Sequence, residues 1–559
     1  MINYAIEHKY SYERWKHVVN QMIYKDPGNT KIHRLRVIHI YECDLNFILG
    51  CKWREAIHKA QEEGTINEGQ YGGCPGREPT ALTLLEELRI DYSMLTREQI
   101  AQFDNDASSC YDRILVAISS LASRKFGIHK DVVMVHATTL KEAKFKLKTQ
   151  KGVSESWYSH CTAFPIHGTG QGSGNSPVIW CFVSSILFDC HNQKAHGIVF
   201  SSPDRQVVAR MSMVGFVDDS TTITGCDQED EDQTATKLIE RMQHDAQLWS
   251  DLLWCSGGKL ELPKCSFHIL HYNYHNSGEP VLSYKIHDGV NLRDANNNEI
   301  PIKAKSVYKT HKTLGHHKAP AGTNRTQHEK ILEKAEDLAN ALTRSSASRT
   351  DAKRFYTTIY RPAVEYTLAQ SFLTDKQLHE IEKASMPAIY SKCGYNRKTS
   401  RKVLQGPTEL GGGGIVPLKV AAGTGYCLHF LKYWRSPHEM VGKKLRIVLA
   451  WCQYQAGVTF PILENTTTPL PWMPSRFIPA VRRYLDEIQA TIEIDETFIQ
   501  GKLRTKDKSL MEIAMAQDLT DDELKRFNYC RLFVGAMYLS EICKAEGSAL
   551  VPGISKGET

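Results

Sequence analysis

The sequence predicts an α+β protein with helices packed on a sheet and a largely helical second half. Three features lead there. Residues 100 to 106 read as a short apolar strand that runs into acids, and a helical stripe follows. Two β-rich runs, Val207 to Phe216 and Ser220 to Thr224, flank Val217-Asp218-Asp219, which reads as a hairpin with acids at its tip. Beyond about residue 320 the pattern turns helical.

Taken in order, Lys25-Asp26-Pro27-Gly28 is a turn signal, and Arg34 to Ile40 alternates as a strand does. Ala81 to Leu95 carries Leu84, Leu85 and Leu88 at helical spacing. Ile114, Leu115, Ile118, Leu121 and Ala122 form one helical stripe, which Gly127 stops. Ser176-Pro177 opens a further helix, because serine caps and proline fits the first helical position; Val178 to Phe188 is its buried part. The acids of Asp227 to Asp232 suit the positive end of a helix dipole, with Leu238, Met242, Trp249 and Leu253 behind them. This order of elements places helices on one face of a sheet. Gly411 to Gly414 marks a loop, and residues 421 to 559 read as helices joined by a Pro-rich loop at 461 to 478.

Composition bounds the function loosely. A chain of 559 residues with 41% hydrophobic and 24% charged residues is ordinary for a globular protein of several structural units. Its net charge of +6 permits a polyanionic partner without establishing one. The 15 cysteines include no CxxC pair and no zinc-finger spacing, so a reduced, intracellular protein is expected, in nucleus or cytoplasm. Val178 to Phe188 is too short to span a bilayer, and no membrane partner is expected. The first residues read as the middle of a fold.

Two adjacent carboxylates at a turn repel each other, and a divalent cation reverses that balance. Hard oxygen ligands favour Mg²⁺, with Mn²⁺ as a substitute, over zinc or copper. A second acid cluster, Asp104, Asp106 and Asp112, again sits where a strand becomes a helix. Acids at neighbouring strand ends can converge on two ions about 3.5–4 Å apart, the arrangement used in phosphoryl transfer. An acid pair in a turn is ordinarily just solvated; here an apolar strand, Met213 to Val217, leads straight into it.

These segments resemble the motifs of reverse transcriptases of the non-LTR retrotransposon and group II intron type. Asp106-Ala107-Ser108-Ser109-Cys110-Tyr111-Asp112 is similar to the family's first catalytic motif, an aspartate followed five residues on by an aromatic and six on by an aspartate. Gln171-Gly172-Ser173-Gly174-Asn175-Ser176-Pro177 matches its QGxxxSP motif, and Phe216-Val217-Asp218-Asp219 its aromatic-x-Asp-Asp box. Weaker likenesses are Gln70 to Arg77, Gly257 to Lys264 and Thr313-Leu314-Gly315, the last similar to a primer grip, so that the resemblance spans roughly residues 15 to 320. The chain departs from the family at Val37, where proline is common, and at Phe216, where many members carry tyrosine.

The resemblance implies a right-hand polymerase. Fingers would occupy residues 1–100, incomplete because little chain precedes Lys25. A palm would follow at 101–315 with a fingers insertion near 130–165, then a helical thumb at 316–420 and a helical extension at 421–559. It implies addition of dNTPs to a DNA primer on an RNA template, with Asp106, Asp218, Asp219 and the carbonyl of Ala107 holding two Mg²⁺ ions. Lys264 would donate a proton to pyrophosphate. Lys25 and Arg36 would grip the triphosphate, Tyr111 would exclude a 2′-hydroxyl, and Gln171 and Gly172 would meet the nascent pair. Lys318, Arg325, Lys330 and Lys334 would be available to duplex phosphates. Asp104 reads as a solvated neighbour, Asp112 as a helix-start acid, and His268, His271 and His275 as ordinary histidines. A different class of function remains as the alternative: a retroelement-derived protein that binds nucleic acid and has lost catalysis.

Overall fold

The computed structural model describes residues 1–551 apart from 27, 30, 32–33, 109, 161–167, 227–234, 276–278, 288, 397, 475, 497 and 503. The chain is a mixed α/β protein. The elements that position the candidate site are strands β1 (His17–Tyr24) and β2 (Leu35–Ile40), helix α1 (Pro79–Thr96), strands β3 (Ile100–Asp106) and β4 (Lys144–Thr149), and helix α2 (Ser176–Lys194). They continue with β5 (Met213–Phe216), β6 (Asp219–Gly225), helix α3 (Ala235–Cys255), β7 (Ser266–Leu270), β8 (Lys303–Ala304) and the hairpin β9 (His311–Thr313) and β10 (His316–Lys318). Helices α4 (Leu418–Trp434), α5 (Met440–Ala456) and α6 (Phe477–Glu487) lie in the C-terminal part.

The central sheet has the order β8-β7-β3-β6-β5, antiparallel except for the short β7–β8 pair. Its middle strand, β3, is buried along almost its whole length. Successive residues alternate between two cores. Ala101 and Phe103 join Trp180, Phe182, Trp249 and Phe267 on one side; Ile100 joins Leu84, Leu85, Leu88 and Ile223 on the other. Helices therefore cover both faces, not the one expected. The second cover is α1, which α5 in turn packs against. A smaller sheet, β2-β1-β4 with two short strands, pairs β1 with β2 antiparallel and with β4 parallel.

Several local expectations shift. The run Val207 to Phe216 divides at Ser212: Val208–Met211 pairs with Ile198–Ser201, and only β5 enters the acid-tipped hairpin. The helix after β3 breaks at Leu115 into Cys110–Arg113 and Val116–Lys125; this changes its phase and leaves Leu121 62% exposed. Asn175, not Ser176, is the N-cap of α2, and the Ser176 hydroxyl donates instead to the carbonyls of Thr169 and Gly170. The acidic run 227 to 232 lies outside the described residues. Helix α4 crosses the expected boundary at 420, and residues 421–487 share a core with α1 and the central sheet.

Candidate active site

The hairpin β5–β6 closes on two residues, Val217 and Asp218, between the paired ends Phe216 and Asp219. Val217 has φ +59°, a left-handed conformation that a β-branched side chain resists and that glycine usually fills in such turns. Strain of this kind costs on the order of 1–3 kcal/mol and persists where the surroundings over-determine it. They do so here. The Trp180 indole N–H donates to the Val217 carbonyl at 2.6 Å. Gly72 lies so close that a Cβ there would sit 2.3 Å from the Val217 nitrogen. Behind the turn, Tyr71 N–H donates to Gly215 O, and Gly215 N–H to Gly69 O, both at 2.9 Å, so the 69–71 segment covers the outer edge of β5.

Residues Asp106 and Asp219 are direct cross-strand partners in the β3–β6 ladder. Such partners place their side chains on the same sheet face with Cα atoms about 4.5–5.5 Å apart. Asp218 stands beside them at the turn, and its charge acts on both. Burial, together with the charge of Asp218, raises the Asp106 carboxyl above its usual range, which Lys264 opposes. Burial and the charges of Asp218 and Asp106 raise Asp219, which His311 opposes. Among the described residues, the carboxylates of Asp218 and Asp219 take no hydrogen bond and no ion pair, and Asp106 has only Lys264, 3.8 Å from its Oδ1.

The donor set fits hard divalent cations. It consists of carboxylate oxygens that repel one another, half-exposed and barely compensated. Ala107 adds a backbone oxygen. It forms an isolated antiparallel bridge with Leu260 in which Ser108 N–H donates to Lys259 O and Glu261 N–H to Asp106 O. In that pattern the carbonyl of Ala107 itself points away from the 259–261 segment, toward the hairpin side. The ligand atoms of Asp106, Asp218 and Asp219 do not all lie within 4.8 Å of one another. Among the described residues, the one trio of potential ligand atoms within 4.8 Å of each other is His196, His244 and Asp245, and there Asp245 already accepts from the His196 and Gly197 amides, Thr224 and His244.

A second group forms around Gln171. The Asp112 carboxyl, raised by burial, is pulled back by the backbone N–H of Gln171 and by the charge of Lys25. Gln171 O accepts from His39 N–H at 2.7 Å, and a Cβ on Gly172, whose φ is +124°, would sit 2.3 Å from His39 O. The glycine is thus required by the close approach of β2. Tyr111, half-buried against the core, accepts from Thr169 N–H through its carbonyl at 2.9 Å, which ties the first motif to the same loop. Arg36 is exposed and pairs across β1 with Ile23. Strand alternation puts it on the face opposite His39, and its side chain makes no hydrogen bond or ion pair among the described residues.

Three readings from the sequence are corrected. Asp104 is not solvated: it is 5% exposed, accepts from Gln102 at 2.6 Å and lies 3.3 Å from His268 Nε2. Burial works against its charge, but His268, His311 and Gln102 outweigh that and hold the carboxyl far below the usual range. His268 is accordingly no ordinary histidine; the ladder pairing Ser266 with Asp104 brings it there, a long-range register that spacing does not reveal. Lys318 is not available to a duplex. It is buried against Glu86 of α1. Arg325 and Lys330 are exposed and pair with Glu329 and Glu333.

No protein-family model matches the chain, and no curated protein matches it. Among solved structures the chain is similar to telomerase from Candida albicans in complex with a fragment of telomeric RNA, at 10% identity and a TM-score of 0.36, covering 80% of this chain and 63% of that one. It is likewise similar to apo telomerase from Candida tropicalis, at 11% identity and a TM-score of 0.36, covering 80% and 66%. The chain thus spans less than two thirds of the length of these structures, and at such TM-scores nothing about the site rests on the likeness. No helix among the described residues is long and apolar enough to cross a membrane.

Proposed function

We propose that the chain is an RNA-directed DNA polymerase of a retroelement, a reverse transcriptase of the non-LTR and group II intron type, which adds dNTPs to a primer 3′-hydroxyl. The observation that carries the reading is the meeting of Asp106 with Asp219 across two strands, with Asp218 beside them on a strained, clamped turn and Lys264 3.8 Å from Asp106. Uncompensated carboxylates are the wrong lining for a surface that only binds a polyanion, since they repel it.

In this reading Asp106, Asp218, Asp219 and the Ala107 carbonyl hold two Mg²⁺ ions. When bound, such ions lower the pKa of the attacking hydroxyl and offset charge on the triphosphate. The chain's own residues do the rest. Lys264, close to Asp106 and largely exposed, holds a proton at Nζ that can pass to the leaving pyrophosphate. Lys25 draws the triphosphate toward the Asp112–Gln171 loop, and Arg36 offers a planar fork from the neighbouring strand. Tyr111 fills the space that a 2′-hydroxyl would need, and Gln171 positions the nascent pair. RNA template, DNA primer and dNTPs are the partners.

The test is Mg²⁺-dependent primer extension by the purified chain on poly(rA)–oligo(dT), against a DNA template and against NTPs. We expect extension on RNA with dTTP, and we expect Asp218→Asn nearly to abolish it while template binding persists. Equal extension by wild type and variant rules out the assignment. Tight RNA binding without extension by the wild type would favour the silent binding protein.

A further inference from the structure

Two cysteines that lie 107 positions apart in the sequence meet beneath the hairpin turn: the Sγ atoms of Cys74 and Cys181 are 3.2 Å apart, and both residues are buried. Each sits next to one half of the clamp on Val217. Cys74 follows Gly72 and Gly73 in the loop that presses on the Val217 nitrogen, and Cys181 follows Trp180, whose indole holds the Val217 carbonyl. We propose that Cys74 and Cys181 form an oxidisable pair, a modification site at which a two-electron oxidant such as a peroxide joins the two halves of the clamp by a disulfide. The role assigned to the clamp rests on the polymerase reading; the pairing of the thiols does not.

The chemistry and the geometry agree. A disulfide needs its sulfurs about 2.05 Å apart, so closure moves them together by roughly 1 Å. The Cys74 loop can supply that movement, because Gly72, Gly73 and Gly76 surround the cysteine and Gly73 and Gly76 already have positive φ. The attacking species is a thiolate, and the surroundings favour one at position 74. The contact with Cys181, in which either sulfur can donate, and the positive charge of Arg77 lower the Cys74 thiol against its burial, while the same contact and burial raise Cys181. In the balanced step, the Cys74 thiolate attacks a peroxide oxygen and gives a sulfenic acid and the departing hydroxide. Cys181 sulfur then displaces hydroxide from the sulfenic sulfur. The two thiols lose two hydrogens and two electrons, and hydrogen peroxide becomes two waters. A thiol reductant reverses the bond. Joining the loop to α2 alters the grip on the turn that presents Asp218.

The experiment treats the purified full chain with hydrogen peroxide, blocks remaining thiols and maps peptides without reduction. Hydrogen exchange over Met213 to Thr222 and primer extension are followed in parallel, before and after a thiol reductant. We expect a Cys74–Cys181 peptide that disappears on reduction, altered exchange across the hairpin, and loss of most of the extension rate that reductant restores. Cys181→Ser should keep its activity in peroxide. Oxidation of the exposed Cys43, Cys255 and Cys530 with no Cys74–Cys181 product overturns the pairing. A cross-link that leaves hairpin exchange unchanged overturns the coupling. Neither readout needs polymerase activity, so failure of the function would be seen separately.

Discussion

Helix α1 and the β5–β6 hairpin each gather carboxylates, and the molecule treats them differently. On α1, Glu87 and Asp91 are buried and each accepts from Arg476 at 2.6 Å, while Glu86 faces the buried Lys318. Burial raises both Glu87 and Asp91, and the guanidinium between them pulls them back. A third case lies just past the helix: Glu98 is part-buried with no ion pair among the described residues, and burial pushes it up to about 7 against a hydrogen bond with Tyr92. The hairpin acids have no guanidinium between them: among the described residues, Asp218 and Asp219 take no ion pair and Asp106 has only Lys264. An acid removed from water is paired or neutralised, as on α1; Asp218 and Asp219 stay exposed and Asp106 half-exposed, which suits the cation-holding role proposed for them.

This contrast can be broken at its strongest point. Arg476→Ala strands two buried carboxylates and opens the contact that fastens α6 to α1, so it should destabilise the protein by about 3–5 kcal/mol. Thermal unfolding would show a large fall in midpoint; a midpoint near that of wild type would mean that the α1 acids do not depend on their partner.

The intermediate case gives a pH prediction. Because Glu98 titrates higher in the folded chain than its ordinary value of 4.5, the fold binds a proton there that the unfolded chain releases. The stability Glu98 contributes is full below that ordinary value and is lost as pH rises through about 7. Unfolding midpoints of wild type should therefore fall between about pH 5 and 8 relative to those of Glu98→Gln, which lacks the titration. Parallel curves for the two proteins would contradict the assignment.

The smallest expected effect on stability is at the turn itself. Val217→Gly relieves the left-handed strain and removes a packed side chain, two terms of opposite sign that should cancel to within about 1 kcal/mol. Extension should drop nonetheless, because a looser turn holds Asp218 less well. Unchanged extension would show that the clamp does not matter to the site.

The same contrast explains what could be read from the sequence. The meeting of Asp106 with Asp219, beside Asp218, was legible because each acid stands at a strand end, where an apolar run stops abruptly. The hairpin was legible for the same reason, although its first strand is shorter than the β-rich run suggested. The α1 acids were not legible. The helical spacing of Leu84, Leu85 and Leu88 says nothing of Glu86, Glu87 and Asp91, whose cover, α5 and Arg476, comes hundreds of residues later. Asp104 was misread likewise, since His268, 3.3 Å from its carboxylate, arrives through a β-ladder. Local patterns record what a segment does alone; long-range partners for buried charge leave little trace there.

The most direct test of the central claim is to count bound Mn²⁺ by electron paramagnetic resonance in wild type, Asp218→Asn and Arg476→Met, each with dTTP and template–primer held constant. The account predicts two ions in wild type and fewer in Asp218→Asn, with the full number retained in whatever fraction of Arg476→Met stays folded. Equal Mn²⁺ occupancy in wild type and Asp218→Asn would contradict it.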